Sequence, residues 1–571
     1  MRIPLKFSIH NKLRKLLMMP FLLAALHHGA GAETFIWSNR DLAASQAFSM
    51  ASSMSEEELL GQVFMIGFRG PGADPEILSW IREKHIGGVK VFGWNGEDLE
   101  ALAGAAGTMQ QTAVESGQGI PLFIATDQEG GWVRHVKGRT SITPGNMGIA
   151  AGGLPYDAYT TGKLIGAELR ALGINMNFAP TVDVYVNPEA HVIGPRAFSS
   201  DPVTVGVMSQ AFYHGMRSEG IISTAKHFPG HGNADQDSHG FLPIINDDLD
   251  TVMERDLLPY QMLIPEGLPA IMTGHLAFPA ITGDTTPASL SEKLIRDLLR
   301  KRLGFQGIVI TDDLRMNGAQ YGGESIPQAA EAALRAGNDM IMISLDSRLH
   351  QQVWNHLSRV LKNDPAFKDI LLKAATRILS VKEEYLNRPW SVPLKPDISS
   401  LRQAIPADSD YLFQQACRAL TSISAVGLPL DSSDRILLAG QLGGFFREGQ
   451  KRFPNADVFD FSYNPFYSAP PGAAAGILRR AEKYDRIVFL LATPGSTEVL
   501  KEIVRKSAGL KERLVIISVL TPVYLFEMDW IRTALAAYGT GDESFAAAFA
   551  ALAGDFIPHG KLPVSELTFT E

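Results

Sequence analysis

The chain reads as an α/β protein: a (β/α)8 barrel followed by a smaller α/β sandwich domain. Three observations lead there. Eight short apolar runs recur between residues 62 and 345, spaced by amphipathic stretches such as 327–336, PQAAEAALRA; strands alternating with helices build parallel sheets. Most of these runs end on, or lead directly into, an ionisable residue. After a proline-rich break, RPWSVPLKPD at 388–397, a second and shorter series of apolar runs begins.

The eight runs are, in order, 62–68 (QVFMIGF), 88–93 (GVKVFG), 121–127 (PLFIATD), 175–183 (NMNFAPTVD), 222–228 (ISTAKHF), 269–275 (PAIMTGH), 307–313 (GIVITDD) and 339–345 (DMIMISL). Eight strand–helix units within one domain are the count of a closed barrel, whose active site lies at the carboxyl ends of the strands. The residues at those ends are Asp127, Asp183, Lys226 with His227, His275, Asp312 with Asp313, and Asp346. Asp183 also suits a loop-bracing role. Beyond the break, 435–440 (RILLAG), 485–492 (DRIVFLLA), 513–520 (RLVIISVL) and 534–539 (ALAAYG) predict the buried strands of the second domain. The expected division is a catalytic barrel over 33–390, a linker over 391–407 and an α/β domain over 408–571.

With 571 residues, 45% hydrophobic and 20% charged, the composition is that of a globular protein too long for one core. The net charge of −9 and the lack of a long basic tract beyond the N-terminus give no reason to expect nucleic acid or a stable membrane partner. The N-terminus carries Arg2, Lys6, Lys12, Arg14 and Lys15, an apolar run over 16–26, and Ala30-Gly31-Ala32. That is the layout of a secretory signal over residues 1–32, with a mature start near Glu33 and a periplasmic or extracellular destination; an uncleaved anchor is the other reading. Cys417 is the only cysteine, so no intrachain disulfide and no cysteine-based zinc site is expected.

The densest chemistry lies at 226–240, KHFPGHGNADQDSHG. Three readings are open. His227 and His231 stand four apart, but Pro229 and Gly230 between them argue against the helix that would align them on a metal, which leaves a mononuclear site assembled from the three histidines as the metal reading. A plain surface loop fits the glycines, yet the loop begins at a strand end. As an acid/base device, Asp237 and His239 stand two apart, so an extended segment would put both on one side, the carboxylate orienting the imidazole. A simple turn-capping pair is equally compatible with the spacing.

The loop also carries a resemblance. KHFPGHG, four residues and then DSH resemble the signature of β-N-acetylglucosaminidases of glycoside hydrolase family 3, the NagZ-type branch. DQEGG (127–131), PGNM (144–147), NFAPTVDV (177–184), IGPRAFSSDP (193–202), MTGHLAFP (272–279) and ITDDLRM (310–316) extend it over about 55–390. GKLPVS (560–565) resembles the closing motif of two-domain members. The resemblance implies an exo-acting, retaining hydrolase of terminal β-linked N-acetylglucosamine, on peptidoglycan fragments or chitooligosaccharides, with no metal and no organic cofactor. It implies Asp312 as the nucleophile, His239 with Asp237 as the acid/base pair, and Asp127, Arg196, Lys226 and His227 as sugar-hydroxyl ligands. Lys226 and Arg196 are expected to favour the ionised form of Asp312 by charge, and Asp313 to act as a structural partner.

The sequence departs from that pattern at one place. Relatives usually carry arginine eight residues after the first aspartate of DQEGG; here His135 has that spacing and Arg134 comes one residue earlier. A slip in the loop would bring Arg134 back to the site. Trp132 suits either a stacking platform or packing on the rim. A β-glucosidase or a phosphorylase of the same family, and a non-catalytic carbohydrate-binding protein, are the alternatives.

Overall fold

In a computed structural model, residues 44–397, 399, 409–461 and 471–564 are described. The expected signal segment 1–32, the mature start at Glu33, residues 398 and 400–407 of the expected linker, the expected domain start at 408, and Ser565 lie outside the described residues. Among the described residues no helix is long and apolar enough to cross a membrane.

The eight expected runs form a closed, all-parallel barrel. Its strands are β1 (Phe64–Gly67), β2 (Gly88–Val91), β3 (Phe123–Thr126), β6 (Met176–Asn177), β7 (Ile222–Phe228), β8 (Ala270–Thr273), β9 (Ile308–Asp313) and β10 (Met340–Ile343). β10 pairs back onto β1, Phe64 opposite Ile341. A short antiparallel hairpin, β4 (Gln128–Gly130) and β5 (Val133–Arg134), rises directly from the end of β3. The strands are apolar on both faces because helices cover the outside and side chains fill the inside. β6 is shorter than its run: the chain leaves the ladder after Asn177, and Thr181 makes one further bridge to Lys226.

Local chemistry sets where helices begin. Asp-Pro pairs at 74–75, 201–202 and 364–365 each open one: the aspartate accepts from the backbone N–H of Glu76, Thr204 and Ala366 respectively, and proline occupies the first turn, where no N–H is needed. Each such cap contributes about 1 kcal/mol.

The second domain is a six-stranded sheet in the order β11-β16-β15-β14-β12-β13. β12 (Ile436–Gly440), β14 (Arg486–Leu491), β15 (Leu514–Val519) and β16 (Thr533–Tyr538) are the four expected runs. The edges were not read from the sequence: β11 (Thr421–Ala425) runs antiparallel to β16, and β13 (Asp457–Asp460) is parallel to β12. Edge strands face solvent and lack the continuous apolar signal of central ones.

The two domains share a core. Met147, Tyr185, Ile193 and Ala197 of the barrel pack with Val523, Ala536, Tyr538 and Val564. Asp157, buried on a barrel helix, receives two hydrogen bonds from Arg418 at 2.8 and 2.9 Å and one from the Tyr411 hydroxyl at 2.8 Å. The Pro563 carbonyl accepts from the Ser200 backbone at 3.1 Å, so the C-terminal segment clamps the loop that carries Arg196.

Candidate active site

The strand ends bring four of the expected residues into one network. Asp127 follows β3 and Lys226 lies in β7; Lys226 Nζ donates to Asp127 Oδ1 at 2.5 Å and to Glu129 Oε1 at 2.6 Å. Arg196, on the loop after β6, grips Glu129 with two bonds of 2.9 Å, and its Nη2 lies 3.2 Å from His227 Nε2. A guanidinium only donates, so Nε2 accepts and Nδ1 carries the proton. That proton is directed at Asp183 Oδ2, 2.8 Å away.

Asp183 therefore braces the loop, as its position suggested. Its other oxygen accepts from the His227 and His231 backbones at 3.2 and 2.7 Å. Gly230 lies between them with φ +146°, and a Cβ there would meet Asp256 Cβ at 2.6 Å, so the turn requires glycine. The three histidines take separate partners: His227 has Asp183, His231 Nε2 lies 3.1 Å from Ser238 Oγ, and His239 has Asp237.

Burial works against the charges of Asp127 and Glu129, but lysine and arginine overcome it. Lys226 and Lys90 hold Asp127 well below the ordinary carboxylate range, and Arg196 with Lys226 brings Glu129 down to about 2. Asp312, at the end of β9, is also lowered against its burial. The expected source was Lys226 and Arg196; instead His227 and His275 are the larger causes, followed by the Asp313 N–H at 2.8 Å and Lys226. Asp313 accepts from the Arg315 and Ser344 backbones and so is a structural brace. His275 is wholly buried between Ser289 and the Asp313 carbonyl, and Asp346, partly exposed, caps a helix by accepting from the Leu349 N–H at 3.0 Å.

Asp237 and His239 pair, but in a turn rather than an extended segment. Gly240 N–H closes onto the Asp237 carbonyl at 3.0 Å. Asp237 Oδ1 then accepts both the His239 backbone N–H at 2.9 Å and His239 Nδ1 at 2.7 Å. The hydrogen bond to Asp237 raises His239 above the ordinary imidazole value, against burial, and the Asp312 carboxylate adds to it. Asn317 N–H binds the His239 carbonyl at 3.3 Å and Gly318 N–H the Ser238 carbonyl at 3.2 Å, which ties this loop to the segment just after Asp312.

Three residues were missed in the sequence. Glu129 holds Arg196 and Lys226; Lys90 binds Asp127 Oδ2 at 2.7 Å; His135 Nδ1 lies 3.1 Å from Lys90 Nζ. The signal for Lys90 was visible, a lysine inside the apolar run GVKVFG. Arg134 does not slip into the site: it donates to the Thr140 and Ser141 carbonyls.

A closed parallel barrel whose strand ends gather carboxylates, ammonium and guanidinium groups and imidazoles has the layout of a barrel enzyme, with its site at the carboxyl ends of the strands. Residues 55–381 match the family described as the glycosyl hydrolase family 3 N terminal domain, and the chain belongs to that family. It is 33% identical over 370 residues to β-hexosaminidase A of Pseudoalteromonas piscicida, covering 58% of this chain and 61% of that protein. It is 39% identical over 282 residues to the β-hexosaminidase of Tolumonas auensis, covering 49% of this chain and 81% of that one. The solved family 3 β-N-acetylglucosaminidase of Paenibacillus sp. str. FPU-7 superimposes with a TM-score of 0.82 at 27% identity, over 91% of this chain and all of that one.

Proposed function

We propose that this protein is an exo-acting, retaining β-N-acetylglucosaminidase that removes terminal β-linked N-acetylglucosamine from peptidoglycan fragments or chitooligosaccharides. One observation carries the reading: the Asp237–His239 turn is hydrogen-bonded to the segment following Asp312, so a proton donor and an ionised carboxylate share one strand-end site. Asp312 attacks the anomeric carbon while His239, as imidazolium, gives its proton to the departing oxygen. Water then opens the glycosyl-enzyme with His239 as base, and Asp237 stabilises the imidazolium in both steps. Asp127, Lys226, Arg196 and His227 bind hydroxyls of the terminal sugar. The signal-like residues 1–32 support export, which N-terminal sequencing of protein recovered outside the cytoplasm would test.

The test is release of p-nitrophenol from the β-N-acetylglucosaminide beside the β-glucoside, with and without phosphate. The expected result is preference for the N-acetyl sugar, free sugar as product, and activity abolished by Asp312→Asn. Equal or greater action on the glucoside would make the enzyme a β-glucosidase, and sugar phosphate as product would make it a phosphorylase. Inertness on both glycosides would leave a carbohydrate-binding protein.

A further inference from the structure

Asp127 is gripped from two sides, and the second grip has no place in the mechanism above. Lys90 reaches it from β2, with its side chain 1% exposed. The ammonium spends its three donors on Asp127 Oδ2 at 2.7 Å, the Val91 carbonyl at 2.9 Å and His135 Nδ1 at 3.1 Å. An ammonium cannot accept, so Nδ1 of His135 does, and the single proton of that ring is on Nε2. The ring is held from behind: it tilts against Phe92 at 5.8 Å between centroids, and Phe92 stacks on Trp94 at 4.5 Å. Lys90 is sealed in, but the side chains of His135 and Asp127 are 29% and 16% exposed.

We infer that His135 is a sugar-hydroxyl donor, fixed by Lys90 as the neutral Nε2–H tautomer, and that with Asp127 as acceptor it recognises one hydroxyl of the terminal sugar. Burial and the Lys90 ammonium push His135 down to about 4, which keeps the ring neutral at ordinary pH. An arginine at this spacing would bring charge and donor together. Here the two are divided, the charge arriving from a different strand. Lys90 is a positioning residue, acting through His135 and Asp127. The inference rests on the glycosidase reading of the site.

The experiment uses the full chain and p-nitrophenyl β-N-acetylglucosaminide, with its 3-, 4- and 6-deoxy derivatives. Wild type is expected to lose about tenfold in kcat/KM on one deoxy sugar, the scale of one hydrogen bond in a closed site. His135→Ala should lose a similar factor on the parent sugar, chiefly through KM, and show no further loss on that same deoxy sugar. His135→Gln, which keeps an N–H, should recover part of it, and Lys90→Met should lose the same discrimination. A loss spread equally over all four sugars, or no loss, overturns the inference. Calorimetric binding of N-acetylglucosamine separates the two readings. A wild type that is inert but binds the sugar about tenfold better than His135→Ala sinks the hydrolase and keeps the pair; equal binding, or none, sinks the pair.

Discussion

His239 meets Asp237 twice at one carboxylate oxygen, through its backbone N–H at 2.9 Å and its ring Nδ1 at 2.7 Å. The doubled contact turns the ring and raises its proton affinity together. Both side chains are more than half open to solvent or close to it, 67% and 50%, so a turn two residues long does the orienting that a buried pocket does elsewhere.

Asp237→Asn should move the alkaline limb of the pH–rate profile to lower pH. The acid is the imidazolium, Asp237 raises its pKa, and removing that acceptor lets the proton leave earlier as pH rises. The loss in kcat should be roughly a hundredfold on poor leaving groups and much smaller on a dinitrophenyl glycoside, whose leaving group needs no proton. An unshifted limb would assign the acid to another residue.

His231 makes the fold acid-sensitive. Burial lowers it to about 4 from an ordinary 6.5, with His227 adding to the fall. The unfolded chain therefore binds the extra proton first. Stability is full above about 6.5 and drains as pH falls toward 4, by up to roughly 3 kcal/mol. His231→Asn should flatten the melting temperature across that window.

Lys382 is buried, with the Gln62 side-chain oxygen at 3.0 Å and the face of Phe123 at 5.0 Å as its contacts, and burial lowers it to about 7. Among the described residues no carboxylate pairs with it. Lys382→Met should raise stability by roughly 2–4 kcal/mol at pH 6, seen as a higher melting temperature. A lower one would show that the Gln62 contact outweighs desolvation.

Tyr538, 2% exposed, belongs to the same buried cluster as Ile193 and Ala197, which flank the Arg196 turn, and its hydroxyl meets Thr421 Oγ1 at 2.9 Å. Tyr538→Ala should cost about 3–5 kcal/mol as a large core truncation. Because the cavity opens behind the Arg196 loop, KM should rise more than kcat falls. An unchanged KM in the folded variant would detach the second domain from sugar binding.

Part of the site was legible because its signals are local. Lys226, His227, Asp237, His239 and Asp312 fall at strand ends or in one glycine-rich loop, so their positions stood out, while their roles came from the family resemblance. Glu129 was hidden in the middle of DQEGG, and His135 read as a departure. Their meaning depends on Arg196, 67 residues from Glu129, and on Lys90, 45 residues from His135.

The sequence by itself determined the eight barrel strands and the four central strands of the second sheet. Continuous apolar runs act over a few residues and need no distant partner. The tertiary structure decided which charges meet. Barrel closure brings Lys226 to Asp127 across 99 residues and turns an apolar-run lysine into the second clamp on that carboxylate. It also placed the edge strands β11 and β13, whose half-exposed residues carry no strong pattern until a neighbour supplies the ladder.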